Sequence, residues 1–534
     1  MADSYDVVIV GAGHNGLVCG CYLARTGLRV LVVERRPIVG GAVVTEHDIF
    51  PGYALDTCSS FHIVIKALPI IEELGLAQFG LDYLPMDPFG FAPFPDGTSI
   101  TFYRDLDRTC ASIAKLNPGD AQRYHDFVTL WGKFNEPVYA TFLAPPRAGP
   151  MIGSILRQQR GKLRSMLGLG NSADLLKAIF GSYTQLIESY FEDPRLKAAL
   201  GWLAAQSGAG PDDPGSGEQL AWHLLCHQSG CWRPRGGSGM LSQALAQCLA
   251  HHGGAVRVAA PVAEILVRGN RAVGVKLEDG EEIAARCVIS NAHVQTTLLK
   301  LVGEERLAPT LARQLKNLRI ANGMGMTIRC TTDALPNYTA APLVEGQPNE
   351  AYHGMQLICP SQEYLSRAFH ESELGRTPTA PCILGMTPTV MDPDLAPAGK
   401  HIFNVWAQWH PYTLADGGSW DDIREGEAEK ILRIVDEYAP GFSDHVTGVY
   451  IKSPVDLERI GGLLRGHLMH IDMTLDQMFM FRPLPSLANY QTPIAGLWLT
   501  GASTHPGGGV SGAPGYITAH EVLRTWKKAR YAAT

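Results

Sequence analysis

The chain reads as an α/β fold built on a Rossmann-like unit, and three observations near its N-terminus say so. The run Tyr5-Asp6-Val7-Val8-Ile9-Val10 has the apolar, β-branched character of a buried strand. A glycine turn, Gly11-Ala12-Gly13-His14-Asn15-Gly16, follows it directly. After a helical stretch, a second apolar run, Val30-Leu31-Val32-Val33, ends in Glu34. Strand, glycine turn, helix, strand and acid is the order that a dinucleotide-binding βαβ unit requires.

Each element has a physical job in that unit. Gly11 allows the tight turn, Gly13 lets the backbone approach a pyrophosphate, and Gly16 lets helix and strand pack closely. The N-terminus of the following helix faces the phosphates with its unpaired N–H groups and positive dipole end, and His14 and Asn15 of the turn are candidate cofactor contacts. Glu34 is placed to accept hydrogen bonds from a ribose diol. The motif continues as Arg35-Arg36-Pro37-Ile38-Val39-Gly40-Gly41-Ala42, a basic pair and a second glycine turn that bring more backbone N–H groups to an extended pyrophosphate cofactor.

Composition sets the remaining bounds. A chain of 534 residues holds two or three domains, and 46% hydrophobic with 18% charged residues is a globular balance. A net charge of −7 gives no reason to expect a nucleic-acid partner. The 11 cysteines are odd in number and scattered, which argues against a disulfide framework or a zinc site and for reduced thiols in a cytosol-like compartment. With the first strand beginning by Tyr5, no signal or transit peptide is expected upstream, and because the apolar runs are short or interrupted no transmembrane helix is expected. The expected location is cytoplasmic.

The far end of the chain points to FAD rather than NAD. A short strand, Leu497-Trp498-Leu499-Thr500, leads into Gly501-Ala502-Ser503-Thr504-His505-Pro506-Gly507-Gly508-Gly509-Val510 and on through Gly515 to a helix from about Tyr516. A glycine turn before a helix offers N–H donors to a developing anion, which in flavoenzymes is the reduced ring. Between the two ends, Met240 to His251 reads as an amphipathic helix. Ala255–Val258, Val262–Val267, Ala272–Leu277 and Cys287–Ala292 read as strands joined by Gly269-Asn270 and Asp279-Gly280 turns.

The motifs GAGHNGL, ERRPIVGGA and LTGASTHPGGGVSGAPG resemble those of the phytoene-desaturase-like flavoproteins. The similarity is greatest to the branch of the bacterial carotenoid ketolases and the pyridine nucleotide-disulfide oxidoreductase-domain proteins. Trp232–Gly239, Pro454–Arg459 and Asp476-Gln477 with Arg482-Pro483 fit the same branch. The resemblance covers nearly the whole chain. It implies non-covalent FAD and a two-lobed fold of the amine oxidase type, with a mixed α+β substrate domain. It also puts Val262 on the strand whose backbone meets the adenine. The FAD domain is then expected from 1–70, 236–299 and 488–534, and the substrate domain from 71–235 and 300–487. The latter mixes helices such as Leu175–Ser189 and Glu425–Tyr438 with strands such as Met324–Cys330 and His401–Trp406.

Other constellations carry less. Cys226 and Cys231 lie far from the first nucleotide motif, unlike the redox pair of disulfide reductases, and buried thiols are expected. No second GxGxxG follows a strand, so the expected electron acceptor is oxygen or a quinone. His223 and His227 share a helical face, but no third metal ligand stands near them. His505 precedes the triple glycine and is the one candidate for an acid–base or substrate-orienting side chain beside the flavin. In amine oxidases a tyrosine of the aromatic cage lies in the C-terminal motif, where this chain has Ala513, which argues against a small amine. By alternation Phe403, Val405 and Ala407 share one strand face, and Asn404 and Trp406 the other. The segment 151–170 combines Arg157, Arg160, Lys162 and Arg164 with apolar residues and no acid, a pattern that can lie on an anionic membrane surface.

These readings predict an FAD-dependent oxidoreductase (a dehydrogenase, desaturase or oxidase) that takes hydride from a C–H bond of a fairly hydrophobic small molecule to flavin N5. Ketolation is a subtype of the same expectation. The alternatives are oxidation of a C–N bond in a bulky amine, and a flavin-binding protein with a mainly interaction role.

Overall fold

A computed structural model describes residues 5–158 and 180–533. The basic stretch at 151–170 therefore lies mostly outside the described residues; its beginning falls in the helix Ala148–Gln158.

Strand β1 (Tyr5–Val10) is central in the first sheet, and Val7 to Val10 are buried, as a parallel strand covered on both faces must be. It pairs in parallel with β2 (Val30–Val33), Val7 opposite Val30, and with the strand Glu282–Ser290, Val8 opposite Val288. Ala255–Arg257 extends the sheet beyond β2, and Leu497–Leu499 adds in parallel to Glu282–Ser290. The antiparallel hairpin Val262–Arg268 and Arg271–Leu277 joins the first residues of Glu282–Ser290. That strand starts well before Cys287 because its first half alternates exposed and buried residues, as an antiparallel partner allows.

Helix α1 (His14–Ala24) is buried from Asn15 onward. It packs against the helices Met240–His251 and Ala513–Ala533. Glycines set that closeness: a Cβ on Gly16 would meet the Gly11 carbonyl oxygen at 2.4 Å, and one on Gly515 would meet the Asn15 carbonyl oxygen at 2.2 Å. The C-terminal helix begins three residues earlier than expected, since Pro514 is tolerated in a first turn.

The second sheet runs Val446–Lys452, Gly325–Thr332, His401–Gln408, Ile383–Met386, Met355–Ile358, Gly90–Pro93, Ser99–Phe102. One pairing, Met355 with Gly90, is parallel and the rest are antiparallel. One of its faces packs on helices that include Pro194–Ala205 and Gln362–Glu373, through Trp202, Leu384 and Met386. The other packs on Trp420–Asp436 through Phe403, Val405, Ile431 and Val435. The expected helix at 175–189 is seen as Tyr183–Tyr190: the chain bends at Gly181 and Ser182 caps the helix through the Gln185 N–H, while 175–179 lie outside the described residues.

Two buried arginines tie distant segments together. Arg233 pairs with Asp56 at 2.6 Å, both essentially inaccessible, and Asp56 also accepts from Thr45 Oγ1 and the Ser238 N–H. Arg482 donates to the carbonyls of Met469, Asp472, Gln477 and Ala502, which clasps the 469–477 segment to the C-terminal glycine turn. Burial without a hydrogen-bonded carboxylate lowers its pKa to about 9.

Candidate functional site

One cavity of about 780 Å³ joins the carboxyl ends of the parallel strands to the second sheet. The nucleotide end is built around β1 and β2. The Gly11 N–H donates to Val33 O at 2.7 Å and the Gly40 N–H to Ala12 O at 2.9 Å, so the two glycine turns lie against each other. Gly11 (φ 96°), Gly40 (φ 121°) and Gly41 (φ 59°) hold backbone conformations that side chains disfavour. A Cβ on Gly13 would stand 2.8 Å from Asn291 Nδ2.

Glu34 is buried, and its carboxylate is oriented by backbone: Oε2 accepts from the Ala12 N–H at 2.8 Å and Oε1 from the Arg36 N–H at 3.0 Å. Each oxygen keeps a further lone pair, the capacity that a ribose diol needs. Arg36 is paired with Glu46 at 2.9 Å, and Arg35 donates to Ile460 O at 2.9 Å, which holds the 458–464 loop over this end. Burial lowers the His14 pKa to about 4, so it lines the cavity as a neutral imidazole.

The structure brings most of the expected residues together. Gly11, Gly13, His14, Asn15, Glu34, Arg35, Arg36, Gly40, Gly41, Ala42, Val262, Gly508, Gly509 and Val510 all line the cavity. Gly16, Gly501, Pro506 and Gly507 do not, and the three glycines instead permit close packing behind it. Gly16 carries the helix crossing, and a Cβ on Gly501 would meet Asn291 Oδ1 at 2.8 Å. One on Gly507 would meet Met473 Sδ at 2.6 Å.

His505 departs from its expectation, because its ring does not line the cavity. It packs between Phe142 and Phe479, with Nε2 3.1 Å from Thr141 O, and burial lowers its pKa to about 4. The Arg482 clasp turns the 469–477 segment against the glycine turn and presents Met469, His470 and Met473 to the cavity instead. His470 Nδ1 lies 3.0 Å from Ser503 Oγ, and His293 Nε2 donates to His470 O at 3.0 Å.

Sequence reasoning also missed Asn291, whose amide stands at the meeting of Gly11, Gly13 and Gly501. Its one signal was its position at the carboxyl end of an apolar strand, where open α/β sheets bind ligands. Nothing local marked His470 or the 458–464 loop.

The residues present fit FAD. The facing glycine turns, the oriented Glu34 and the N-terminus of α1 form a cradle for ribose and pyrophosphate. Asn15 carries a buried Oδ1 with no partner among the described residues, as a side chain whose partner is a bound molecule would.

The model of the family described as flavin containing amine oxidoreductase matches residues 16–334. The chain belongs to that family. It is 34% identical to pyridine nucleotide-disulfide oxidoreductase domain-containing protein 2 of Rattus norvegicus, over 99% of this chain and 94% of the relative. It is 26% identical to a phytoene desaturase (lycopene-forming) of Pseudescherichia vulneris, over 95% of this chain and 96% of the other. Among solved structures, a triple mutant of putrescine oxidase superposes with a TM-score of 0.62 at 14% identity, covering 99% of each chain. That match shows the fold, an α/β architecture with a Rossmann-like sheet and a mixed second sheet. As a member of this family the protein is an FAD-dependent oxidoreductase.

The other end of the cavity is apolar. Phe61, Ile63, Val64, Leu203, Met355, Leu384, Met386 and Trp406 line it. The strand His401–Gln408 serves both sides: Phe403, Val405 and Ala407 belong to the core beneath, while Asn404 and Trp406, together with Val405, also line the cavity. Cys226 and Cys231 are free and buried, and no metal-binding cluster occurs among the described residues. His227 is hydrogen-bonded to Tyr124 at 2.8 Å. Among the described residues no helix is long and apolar enough to cross a membrane.

Proposed function

We propose that the protein removes hydride from a C–H bond of a fairly hydrophobic small molecule, as a dehydrogenase, desaturase or oxidase. The observation that carries this reading is the continuity of the cavity, from a backbone cradle for a dinucleotide to a wall of apolar side chains. Bound FAD would supply the hydride acceptor. The protein's part is to hold the nucleotide on Glu34 and the glycine turns, and to keep water away from the reacting C–H bond with residues such as Leu384, Met386 and Trp406. The likeness to a phytoene desaturase supports a lipophilic substrate.

The two-domain division at 1–70, 236–299 and 488–534 against 71–235 and 300–487 is part of this reading. The strands of the first sheet fall in the former segments and those of the second in the latter. Oxygen or a quinone reoxidises the flavin, and 151–170 meets a membrane surface. Flotation with anionic liposomes tests the membrane contact, which is withdrawn if replacing the four basic residues leaves binding unchanged.

Anaerobic mixing of the FAD-loaded protein with lipophilic and amine substrates tests the chemistry. Bleaching of the flavin band by a lipophilic C–H donor is expected. Bleaching by bulky amines alone would favour C–N oxidation, and no bleaching by either class would favour an interaction role.

A further inference from the structure

In the apolar end of the cavity, two side chains four residues apart on one helical segment, Gln219 and His223, carry buried atoms without partners. They are Gln219 Oε1 and His223 Nε2, unpaired among the described residues. Both residues are almost fully inaccessible, and an unpaired buried polar group is costly.

The hydrogen-bonding sense of both atoms follows from their neighbours. Gln219 Nε2 donates to Met473 O at 3.2 Å and to Glu218 Oε1 at 2.7 Å, two groups that accept, so the remaining Oε1 is the amide oxygen. His223 Nδ1 faces the Leu220 carbonyl, which can only accept, so Nδ1 carries the proton and Nε2 offers a lone pair. Burial lowers the His223 pKa to about 3, which keeps the ring neutral. Gln206 Nε2, on the same cavity, is also buried and unpaired.

The class of ligand follows. A hydrocarbon would leave Gln219 and His223 unpaired. An ammonium ion would need a counter-charge, and the carboxylates lining the cavity, Glu34, Glu278 and Glu458, belong to its nucleotide end. Glu218, beside Gln219, already accepts from the Gln219 amide and is pushed by burial toward its neutral form, its pKa raised to about 7. A hydroxyl is neutral and donates one hydrogen bond, which either Gln219 Oε1 or His223 Nε2 can accept, and its oxygen can accept in turn from a donor such as an amide N–H. Resting on the lipophilic-substrate reading above, we propose that Gln219 and His223 form a recognition site for a hydroxyl group on an otherwise apolar substrate.

The test titrates the FAD-loaded protein with 1-octanol and with its isomer heptyl methyl ether, reading the shift of the flavin absorption band. The two have the same atoms, but only the alcohol donates a hydrogen bond. The alcohol is expected to bind about tenfold tighter. The Gln219→Leu, His223→Phe double variant should bind the alcohol only as well as the ether, with ether binding and flavin content unchanged. Should that variant not fold, Gln219→Met alone is expected to lose part of the preference. Equal binding of the two isomers to the unmodified protein would overturn hydroxyl recognition and leave the lipophilic reading standing. A preference that survives the substitutions would overturn the assignment to these residues. If neither isomer binds, the lipophilic reading falls, and this inference with it.

Discussion

At its nucleotide end the cavity brings the main chain of Gly11, Gly13, Gly40 and Gly41 into close approach, and one of its carboxylates, Glu34, is pinned by two backbone N–H groups. At its other end it is lined by side chains, with Trp406, Met386, Leu384 and Met355 among them. A backbone surface recognises what every FAD presents, and its geometry leaves little to vary. A side-chain surface can be rewritten without disturbing the fold, which is how one family accommodates different substrates. The two ends should therefore respond to substitution separately.

The largest effect is expected at the cradle. Gly13→Val places branches where Cβ alone would already come within 2.8 Å of Asn291, so the purified variant should contain essentially no FAD by its flavin-to-protein absorbance ratio. Full flavin content would break the comparison at its first term. Next comes the tie between segments. Asp56→Ala leaves Arg233 charged and unpaired in the interior, a loss of about 3–5 kcal/mol in denaturant unfolding. An unfolding midpoint like that of the unmodified protein would show that the pair does not hold the segments together.

Glu34→Gln sharpens the contrast within the cradle. It must turn an amide N–H toward either the Ala12 or the Arg36 N–H, costing roughly 1–3 kcal/mol and weakening FAD binding by about 10- to 100-fold. Fluorescence titration of the apoprotein with FAD measures this. Trp406→Ala should do the opposite: flavin content stays, while an apolar ligand binds about tenfold more weakly, read from the flavin band. A variant that loses FAD as well would erase the separation between the two ends.

The smallest effect is that of pH on binding. Burial holds His14 near 4 and His223 near 3, so neither changes charge between about pH 6 and 8. Glu218, raised by burial to about 7 and bonded to Gln219, does, so any drift of ligand affinity in that range should vanish in Glu218→Gln. Stability behaves differently. As pH falls below the ordinary value of 6.5, these imidazoles take up protons in the unfolded chain but not in the folded one. Their contribution is complete above 6.5 and declines from there toward the folded values, so the thermal midpoint should fall with acidification. Replacing His223 by Phe should make that fall shallower.

The same division governs what could be read in the residues. The FAD cradle was legible because each of its parts is a local rule: a glycine where the turn or the close approach demands one, a helix start, an acid at the end of the next strand. The strand His401–Gln408 was legible in its alternation, yet alternation did not say which face met the cavity. His505 was legible in position and not in orientation. Its ring turns toward Thr141, and Arg482, through five carbonyl contacts of its own, decides what stands beside the glycine turn. The part of 151–170 beyond the described residues stays a reading of composition.

By itself, then, the sequence determined the βαβ unit, its cofactor and the second glycine turn, because those depend on backbone conformations that few residues can adopt. Only the tertiary structure decided that Asn291 fills the gap between Gly13 and Gly501, and that Gln219 and His223 share a cavity with Trp406. These residues lie far apart along the chain and carry no common local pattern. Packing of two sheets and their helices brings them together, and the chemistry of the substrate end exists only once they meet.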